Sequence, residues 1–278
     1  MKELRSSNAS RKKSWLSIFW GFVLVFVFTT KGMAANEKIV VLAFEYPPIY
    51  QNDKDKGLSG DLVVAAFKAV NIDVDMQFFP VARMVRLVSN GEAVCGIGGA
   101  ILFAAPEIAT SVTVSSKIQF VSQTFLYDTR KYPNGILYEN LANMAEYNIG
   151  GLFGSGIMKF LEETQGLKLF PNTVHESSAK QLQMGRIDVW AIVDLTGIMY
   201  MKKLFPGEAD YYKFTKSFNL GDVSVVFSKK MDPDNIYNTK FQEGLATIKK
   251  SGIYMQIMAK YYGSEAAINR DALTEDMR

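Results

Sequence analysis

The sequence has very few side chains that could form a disulfide or a metal cluster. Among its 278 residues there is one cysteine, Cys95, and one histidine, His175. A single cysteine excludes an intrachain disulfide, and a single histidine gives little basis for a zinc cluster or a histidine-based triad. We expect Cys95, in the apolar run AVCGIGG, to be a small buried hydrophobe. We expect His175 to be a polar loop residue, and we expect no metal and no cofactor.

The chain also lacks low-complexity tracts and repeats of fixed period. Its length suffices for one large domain or for two lobes, each with its own core.

The N-terminal segment has the pattern of a secretory signal peptide. Basic residues precede the apolar run WLSIFWGFVLVFVFTT, and the small residues of KGMAA follow it. We therefore expect residues 1–35 to be a cleaved signal and the protein to be periplasmic. The alternative is an uncleaved membrane anchor, for which the apolar run is a little short. A lipid anchor is disfavoured because no cysteine follows the run.

The positive charge of the chain comes mainly from this segment. Residues 1–35 hold six of the 31 basic residues and one of the 28 acidic ones, which leaves 25 basic and 27 acidic residues and a net charge of −2. A remainder with that balance disfavours nucleic acid as a partner.

Strand-like and helix-like segments alternate along the rest of the chain, which predicts an α/β fold with parallel strands covered by helices. The segments of the first unit are KIVVLAF (38–44), GDLVVAAFKAV (60–70), IDVDMQFF (72–79), VARMVRLVSNG (81–91) and AVCGIGGAI (93–101). A second unit contains strands at 147–153 and 189–194 and helices at 154–166, 177–188 and 196–205.

Two extended segments, near 123–131 and 219–229, connect these units. We expect a first lobe from residues 36–127 and 226–263 and a second from 128–225. Two lobes joined by two strands can close on a ligand. Residues 264–278 are expected to form a polar, frayed C-terminal tail.

The order of short motifs resembles that of the family 3 extracellular solute-binding proteins, periplasmic receptors for polar amino acids and related solutes in ABC import. The motifs are Tyr46-Pro47-Pro48, Gly57 with Asp61-Leu62, Pro80 with Arg83, Asn90-Gly91-Glu92, Gly154-Ser155, Gly185-Arg186 with Asp188, Asp194, the run 225–229, and Gly252 with Tyr254. The resemblance implies the two-lobed type 2 periplasmic-binding fold, a monomer, and capture of a small polar solute between the lobes. The implied partner is an ABC permease or a membrane sensor.

Two departures from the family pattern affect the ligand. The family usually carries an arginine that clamps an α-carboxylate, and Ile108 stands at that position in AAPEIATSVTVSS. An aspartate usual after the helix that ends at Gly91 is also missing, since Val94 and Cys95 stand there. The ligand therefore lacks an α-carboxylate, or another cation binds it.

The loop EYPPIY after the first strand supplies candidate ligand contacts, because ligands of α/β units bind beyond the carboxyl ends of strands. Tyr46 is expected to face the ligand from a wall stiffened by Pro47 and Pro48. Glu45 is a candidate for a cationic group of the ligand; alternatively it faces solvent or pairs with a lysine. Tyr50 is equally consistent with packing.

Arg83 is the candidate replacement cation, with a surface ion pair as the alternative. Gly98, near the end of the third predicted strand, is a further expected contact.

The second lobe supplies three more candidates. Gly154 and Ser155 open a helix whose free N–H groups can bind an anion, and a plain helix cap is the alternative. Asp194 follows the apolar strand VWAIV and matches the family's aspartate for the ligand amine. The alternative is a cap for the next helix. An aspartate without the arginine predicts an amine-bearing ligand.

Three functions remain open at this stage. The first is a periplasmic receptor for an ABC importer. The second is a ligand-sensing subunit for a chemoreceptor or kinase. The third is a dehydratase-like enzyme on the same scaffold, which is disfavoured because no histidine or nucleophile pair supports an acid–base mechanism.

Overall fold

The structure, a computed structural model, describes residues 37–278. The predicted signal peptide, residues 1–35, lies outside the described residues. Within the described part of the chain, no helix has both the length and the apolar character that a membrane span needs.

The described residues form ten strands, eight α-helices and six short 3-10 helices. The strands are β1 (Glu37–Ala43), β2 (Ile72–Phe78), β3 (Cys95–Gly98), β4 (Val112–Val114), β5 (Gln119–Asp128), β6 (Asn148–Leu152), β7 (Lys168–Asn172), β8 (Val189–Val193), β9 (Tyr212–Phe214) and β10 (Asn219–Ser228). The helices are α1 (Leu58–Lys68), α2 (Val81–Ser89), α3 (Pro106–Ala109), α4 (Gly156–Glu162), α5 (His175–Gln183), α6 (Asp194–Leu204), α7 (Ile236–Lys250) and α8 (Ile253–Tyr262).

The strands form one continuous sheet in the order β2-β1-β3-β10-β5-β8-β6-β7, with β4 on β10 and β9 on β5. β1 runs parallel to β2 and β3, and β6 runs parallel to β7 and β8. The long strands β5 and β10 pair antiparallel at the centre of the order. We call β1–β4 with α1–α3, α7 and α8 the first lobe, β6–β9 with α4–α6 the second lobe, and β5 and β10 the crossing strands.

The apolar periodicity of the helices explains how they cover the sheet. α1 buries Leu62, Val63, Ala66 and Phe67 against the first lobe. Its neighbour α7 approaches so closely at Gly244 that a Cβ there would lie 1.9 Å from the carbonyl oxygen of Ala66. On α2, the buried residues are Met84, Val85 and Val88, which are spaced to lie on one face of the helix.

Most elements lie where the periodicity predicts them. The alternation of strands and helices up to β3 and both crossing strands are confirmed, with boundaries that differ by a few residues. Sequence reasoning missed the short strands β4, β7 and β9 and the one-turn helix α3. β4, β9 and α3 have only three or four residues, and β7 contains no buried residue, so none of them forms the buried apolar run that marks β3, β6 and β8. The residue boundaries of the two lobes stay a prediction.

Two expectations about single segments are wrong. Residues 264–278 do not fray, because Ile268, Ala272 and Leu273 are buried in the core and Asp276 pairs with Lys249 at 2.9 Å. His175 is not a loop residue: it opens α5 and is buried. The expectation for Cys95 is confirmed, since its side chain is fully buried in β3.

Candidate functional site

The loop after β1 is fixed to the first helix by main-chain hydrogen bonds. The Leu58 N–H donates to the Pro48 carbonyl at 2.8 Å, and the Ser59 N–H donates to the Ile49 carbonyl at 3.0 Å. These bonds satisfy donors at the start of α1 that have no partner within the helix. Gly57 makes the approach possible, because its φ is 84° and a Cβ there would lie 2.6 Å from the Ile49 oxygen. The loop is therefore a rigid wall.

The aromatic residues of this wall are packed together. Phe44 contacts Tyr50 at a ring-centroid distance of 4.9 Å and Tyr46 edge-on at 6.4 Å. Tyr46 and Tyr50 are both buried, and burial raises the pKa of each phenol well above its ordinary value. Both side chains are therefore neutral hydrogen-bonding groups at physiological pH.

The crossing strands form the floor of the site. Gln123 of β5 lies opposite Asn219 of β10 in the antiparallel register. The Asn219 amide donates to the Gln123 Oε1 at 3.2 Å. Three residues further along β10, Asp222 accepts a hydrogen bond from the Ala100 N–H at 3.1 Å. Three polar side chains are thus placed where the two lobes join.

A cavity of about 330 Å³ lies between these elements. It is lined from both lobes and from the crossing strands, and its wall is mostly apolar. The lining residues are Phe44, Tyr46, Ile49, Tyr50, Val81, Gly99, Ile101, Leu102, Val121, Gln123, Ser155, Gly156, Ile157, Phe160, Val193, Asn219, Leu220, Gly221, Asp222 and Val223. Its volume is at the lower end of the range for small-molecule sites.

The two lobes touch each other at the edge of the cavity. The ring of Tyr46, from the first lobe, packs edge-on against His175, from the second, with centroids 4.5 Å apart. His175 also contacts Trp190 and Tyr200 at 5.8 Å and 5.3 Å. Neither ring nitrogen of His175 has a hydrogen-bond partner among the described residues. Burial lowers the pKa of His175 to about 4, so the ring is neutral and acts as an aromatic packing surface.

Two of the residues predicted to contact the ligand line this cavity, Tyr46 and Ser155. Ser155 is buried, and its hydroxyl accepts the Met158 N–H at 3.3 Å, so it also caps α4. Gly154 precedes it with a φ of 71° and is not among the lining residues. Since α4 is a short helix whose cap is occupied, it offers little for an anion.

Three other candidates lie outside the cavity wall. Arg83 is exposed on α2, with its guanidinium 4.9 Å from the centre of the Phe79 ring. Glu45 is exposed on the loop. Gly98 is buried in β3, where a Cβ would lie 3.0 Å from the end of the Leu102 side chain and 3.4 Å from the Phe44 ring, so a larger residue would require the Leu102 side chain to shift.

Asp194 is held by the protein itself. One carboxylate oxygen accepts the Leu195 N–H at 2.7 Å, and the other accepts the Asn269 side-chain amide at 3.2 Å. Burial raises the pKa of Asp194. Asn269 belongs to the C-terminal segment that was expected to fray, so that segment contacts the carboxylate predicted to bind the ligand amine. The role of Asp194 in binding stays a prediction.

Sequence reasoning missed the polar residues of the floor, Gln123, Asn219 and Asp222. They lie on the crossing strands, which the sequence predicts only as connections between the lobes. Polar residues within otherwise apolar strands were the available signal. Elsewhere in residues 37–278, no group of three or more His, Cys, Asp or Glu side chains is arranged to hold a metal ion.

Solved structures with the same fold include receptors for small ligands. One is a histidine kinase sensor domain with similarity to periplasmic binding proteins (15% identity, TM-score 0.66, covering 82% of this chain and 97% of that one). Another is the substrate-binding protein of an amino acid ABC transporter (17% identity, TM-score 0.61, covering 82% of this chain and 100% of that one). A third is the arginine-, lysine-, histidine-binding protein ArtJ from Geobacillus stearothermophilus (20% identity, TM-score 0.62, covering 82% of this chain and 96% of that one).

No protein-family model and no curated protein sequence matches the chain. The structural matches establish the fold: the chain has the two-lobed α/β fold of periplasmic binding proteins, with two extended crossing strands. The fold class predicted from the sequence is therefore confirmed.

Proposed function

We propose that the protein is a periplasmic receptor that captures a small amine-bearing solute between its lobes and delivers it to an ABC importer. The observation that carries the proposal is the cavity, because both lobes and both crossing strands contribute to its wall. A ligand that touches both lobes favours the closed state over the open one.

The rest of the cavity's geometry supports capture of a small molecule. The aromatic wall after β1 is rigid, and a preformed wall loses little conformational entropy when it binds a ligand. The similarity to an amino acid ABC transporter substrate-binding protein and to ArtJ supports import as the purpose of capture. A periplasmic location agrees with the fold and with the predicted signal peptide.

A second candidate function is ligand sensing, in which the closed form signals to a membrane receptor or kinase. It is favoured by the similarity to a histidine kinase sensor domain. Capture of the ligand is the same in both functions, and only the membrane partner differs. We propose no enzymatic activity, because the polar residues of the floor are not arranged as a nucleophile with a base.

A thermal-shift screen of the purified protein against a library of amines, amino acids and neutral solutes tests capture. A ligand at one hundred times its Kd stabilises the native state by about 2.7 kcal/mol, and this raises the Tm of a protein of this size by roughly 5–10 °C. If no compound in a broad library raises the Tm, the capture function is wrong.

Two matched variants test whether the ligand binds in the cavity. Leu220→Trp fills the cavity, since Leu220 is part of its wall. Leu137→Trp makes the same change on the surface, where Leu137 is 91% exposed. We expect the first variant to lose the thermal shift and the second to keep it. A shift that survives in Leu220→Trp would place the ligand elsewhere.

Import and sensing are separated by uptake of the labelled ligand. Cells that lack the protein should lose uptake if it serves an importer. They should keep uptake but lose the transcriptional or motile response to the ligand if it serves a sensor.

A further inference from the structure

The wall of the cavity carries charge of only one sign. Asp222 is its single acidic side chain, and no lysine or arginine of residues 37–278 lines it. A ligand carboxylate buried there would find no counter-charge, whereas an ammonium group would find one. We propose that the cavity selects a small amphipathic amine without a carboxylate, and that Asp222 binds its ammonium group. This inference rests on the proposed function and names the ligand class.

Asp222 is held in place and is free to pair with a ligand. Its Oδ2 accepts the Ala100 N–H at 3.1 Å, which fixes the carboxylate against the first lobe. It forms no ion pair with any described lysine or arginine, while all nine ion pairs of the described residues lie elsewhere. Asp194, in contrast, already has a partner on each oxygen. Of these two carboxylates only Asp222 lines the cavity, so Asp222 is the one placed to accept a ligand ammonium there.

The aromatic wall supplies the surface for the body of the ligand. Phe44, Tyr46, Tyr50 and Phe160 all line the cavity. Tyr50 and Asp222 line the same cavity, and the negative charge of Asp222 is one of the causes that raise the pKa of the Tyr50 hydroxyl. A cation near a carboxylate and an aromatic face is stabilised by both. A hydrated, highly polar solute would leave these apolar surfaces without favourable contacts, so the body of the ligand is apolar.

The amides of the floor add a polar but uncharged contact. The hydrogen bond between Asn219 and Gln123 uses the Gln123 Oε1 and an Asn219 amide hydrogen. It leaves the Gln123 amide hydrogens and the Asn219 Oδ1 for a ligand, since no described residue bonds to them. Such a pair binds a hydroxyl, ether or amide group of a ligand and offers no full positive charge to a carboxylate.

Three small molecules with the same aromatic body test separately whether binding needs an amine and whether it rejects a carboxylate. They are 2-phenylethylamine, which has the amine alone, 2-phenylethanol, which has neither charge, and phenylalanine, which has both an amine and a carboxylate. Titration calorimetry on the purified protein should show the amine binding at least tenfold more tightly than either of the others. Equal or tighter binding of phenylalanine or of the alcohol overturns the inference.

The variant Asp222→Asn tests whether Asp222 binds the ammonium group of the ligand. Asparagine can still accept the Ala100 N–H, so the fold should be kept, which a thermal melt verifies. We expect the amine to lose at least tenfold in affinity and the alcohol to be unaffected. Asp210→Asn, at an exposed acid of the second lobe, serves as the control and should change nothing. Unchanged amine affinity in Asp222→Asn overturns the assignment.

The same experiments distinguish this inference from the proposed function. If none of the three molecules binds, the library screen decides. A ligand with a carboxylate, or one whose binding is insensitive to Asp222→Asn, leaves capture standing and refutes the ligand class. A library without any ligand refutes both.

Discussion

Mild acid is expected to destabilise the protein through its single histidine. His175 is 4% exposed and is enclosed by the rings of Tyr46, Trp190 and Tyr200. Neither of its nitrogens has a described partner, so burial alone lowers its pKa, to about 4. Because protonation places an unpaired charge among aromatic rings, the folded protein resists it while the unfolded chain accepts it at the ordinary pKa.

The magnitude and sign follow from the two pKa values. The unfolded pKa is 6.5 and the folded pKa is about 4. This difference corresponds to about 3 kcal/mol, fully present above pH 6.5 and lost as the pH falls through the folded pKa. Between pH 7 and pH 4.5 we expect the free energy of unfolding to fall by about 2 kcal/mol on account of this side chain.

Urea denaturation at pH 7 and pH 4.5 measures this loss, and His175→Phe isolates it. The variant keeps an aromatic ring in the cluster and removes both nitrogens. Other titrating groups act in both proteins and cancel in the comparison, including Asp194, whose raised pKa has the opposite sign: its stabilisation is lost as the pH rises. If His175→Phe loses as much stability as the wild type between the two pH values, the assignment of a buried neutral histidine is refuted.

Three further predictions concern packing and the cavity. Gly244→Ala should lower the free energy of unfolding, measured by urea titration, by about 1–3 kcal/mol or more, because its Cβ would meet the Ala66 carbonyl. The control Gly207→Ala should be nearly neutral, because nothing lies within 4 Å of the new Cβ. Leu273→Ala should cost about 2–5 kcal/mol, because Leu273 is buried; a cost near zero in the same assay would mean that the C-terminal segment does not pack. Arg83→Gln should leave ligand affinity unchanged in calorimetry, because Arg83 is exposed and outside the cavity wall; a tenfold loss would return it to the site.

The fold can be predicted from the sequence because most strands and helices leave a local pattern of apolar residues, and such patterns follow one another along most of the chain. The apolar run KIVVLAF and the segment VARMVRLVSNG are both found where the sequence predicts them, as β1 and α2. The turn after β1 is also local, so Tyr46 could be predicted to lie in the cleft wall. Short elements such as β9 depend on their partner strand and leave no such pattern.

The candidate site is harder to predict because its composition depends on which segments meet. Asp194 follows a strand, as a ligand-binding aspartate should, but Asn269 reaches it from 75 residues further along the chain. His175 is polar in the sequence and is buried only because Tyr46, Trp190 and Tyr200 converge on it. Such contacts between distant residues carry no signal in a single sequence.

Hydrogen exchange with and without bound ligand tests capture between the lobes most directly. If the solute is held in the cavity, bound ligand should slow amide exchange in three segments: residues 44–50 in the first lobe, 155–160 in the second, and 219–223 on the crossing strand. Protection of all three segments should rise with ligand concentration along the same binding curve. Protection of one lobe alone, or protection confined to segments outside the cavity wall, would contradict the account.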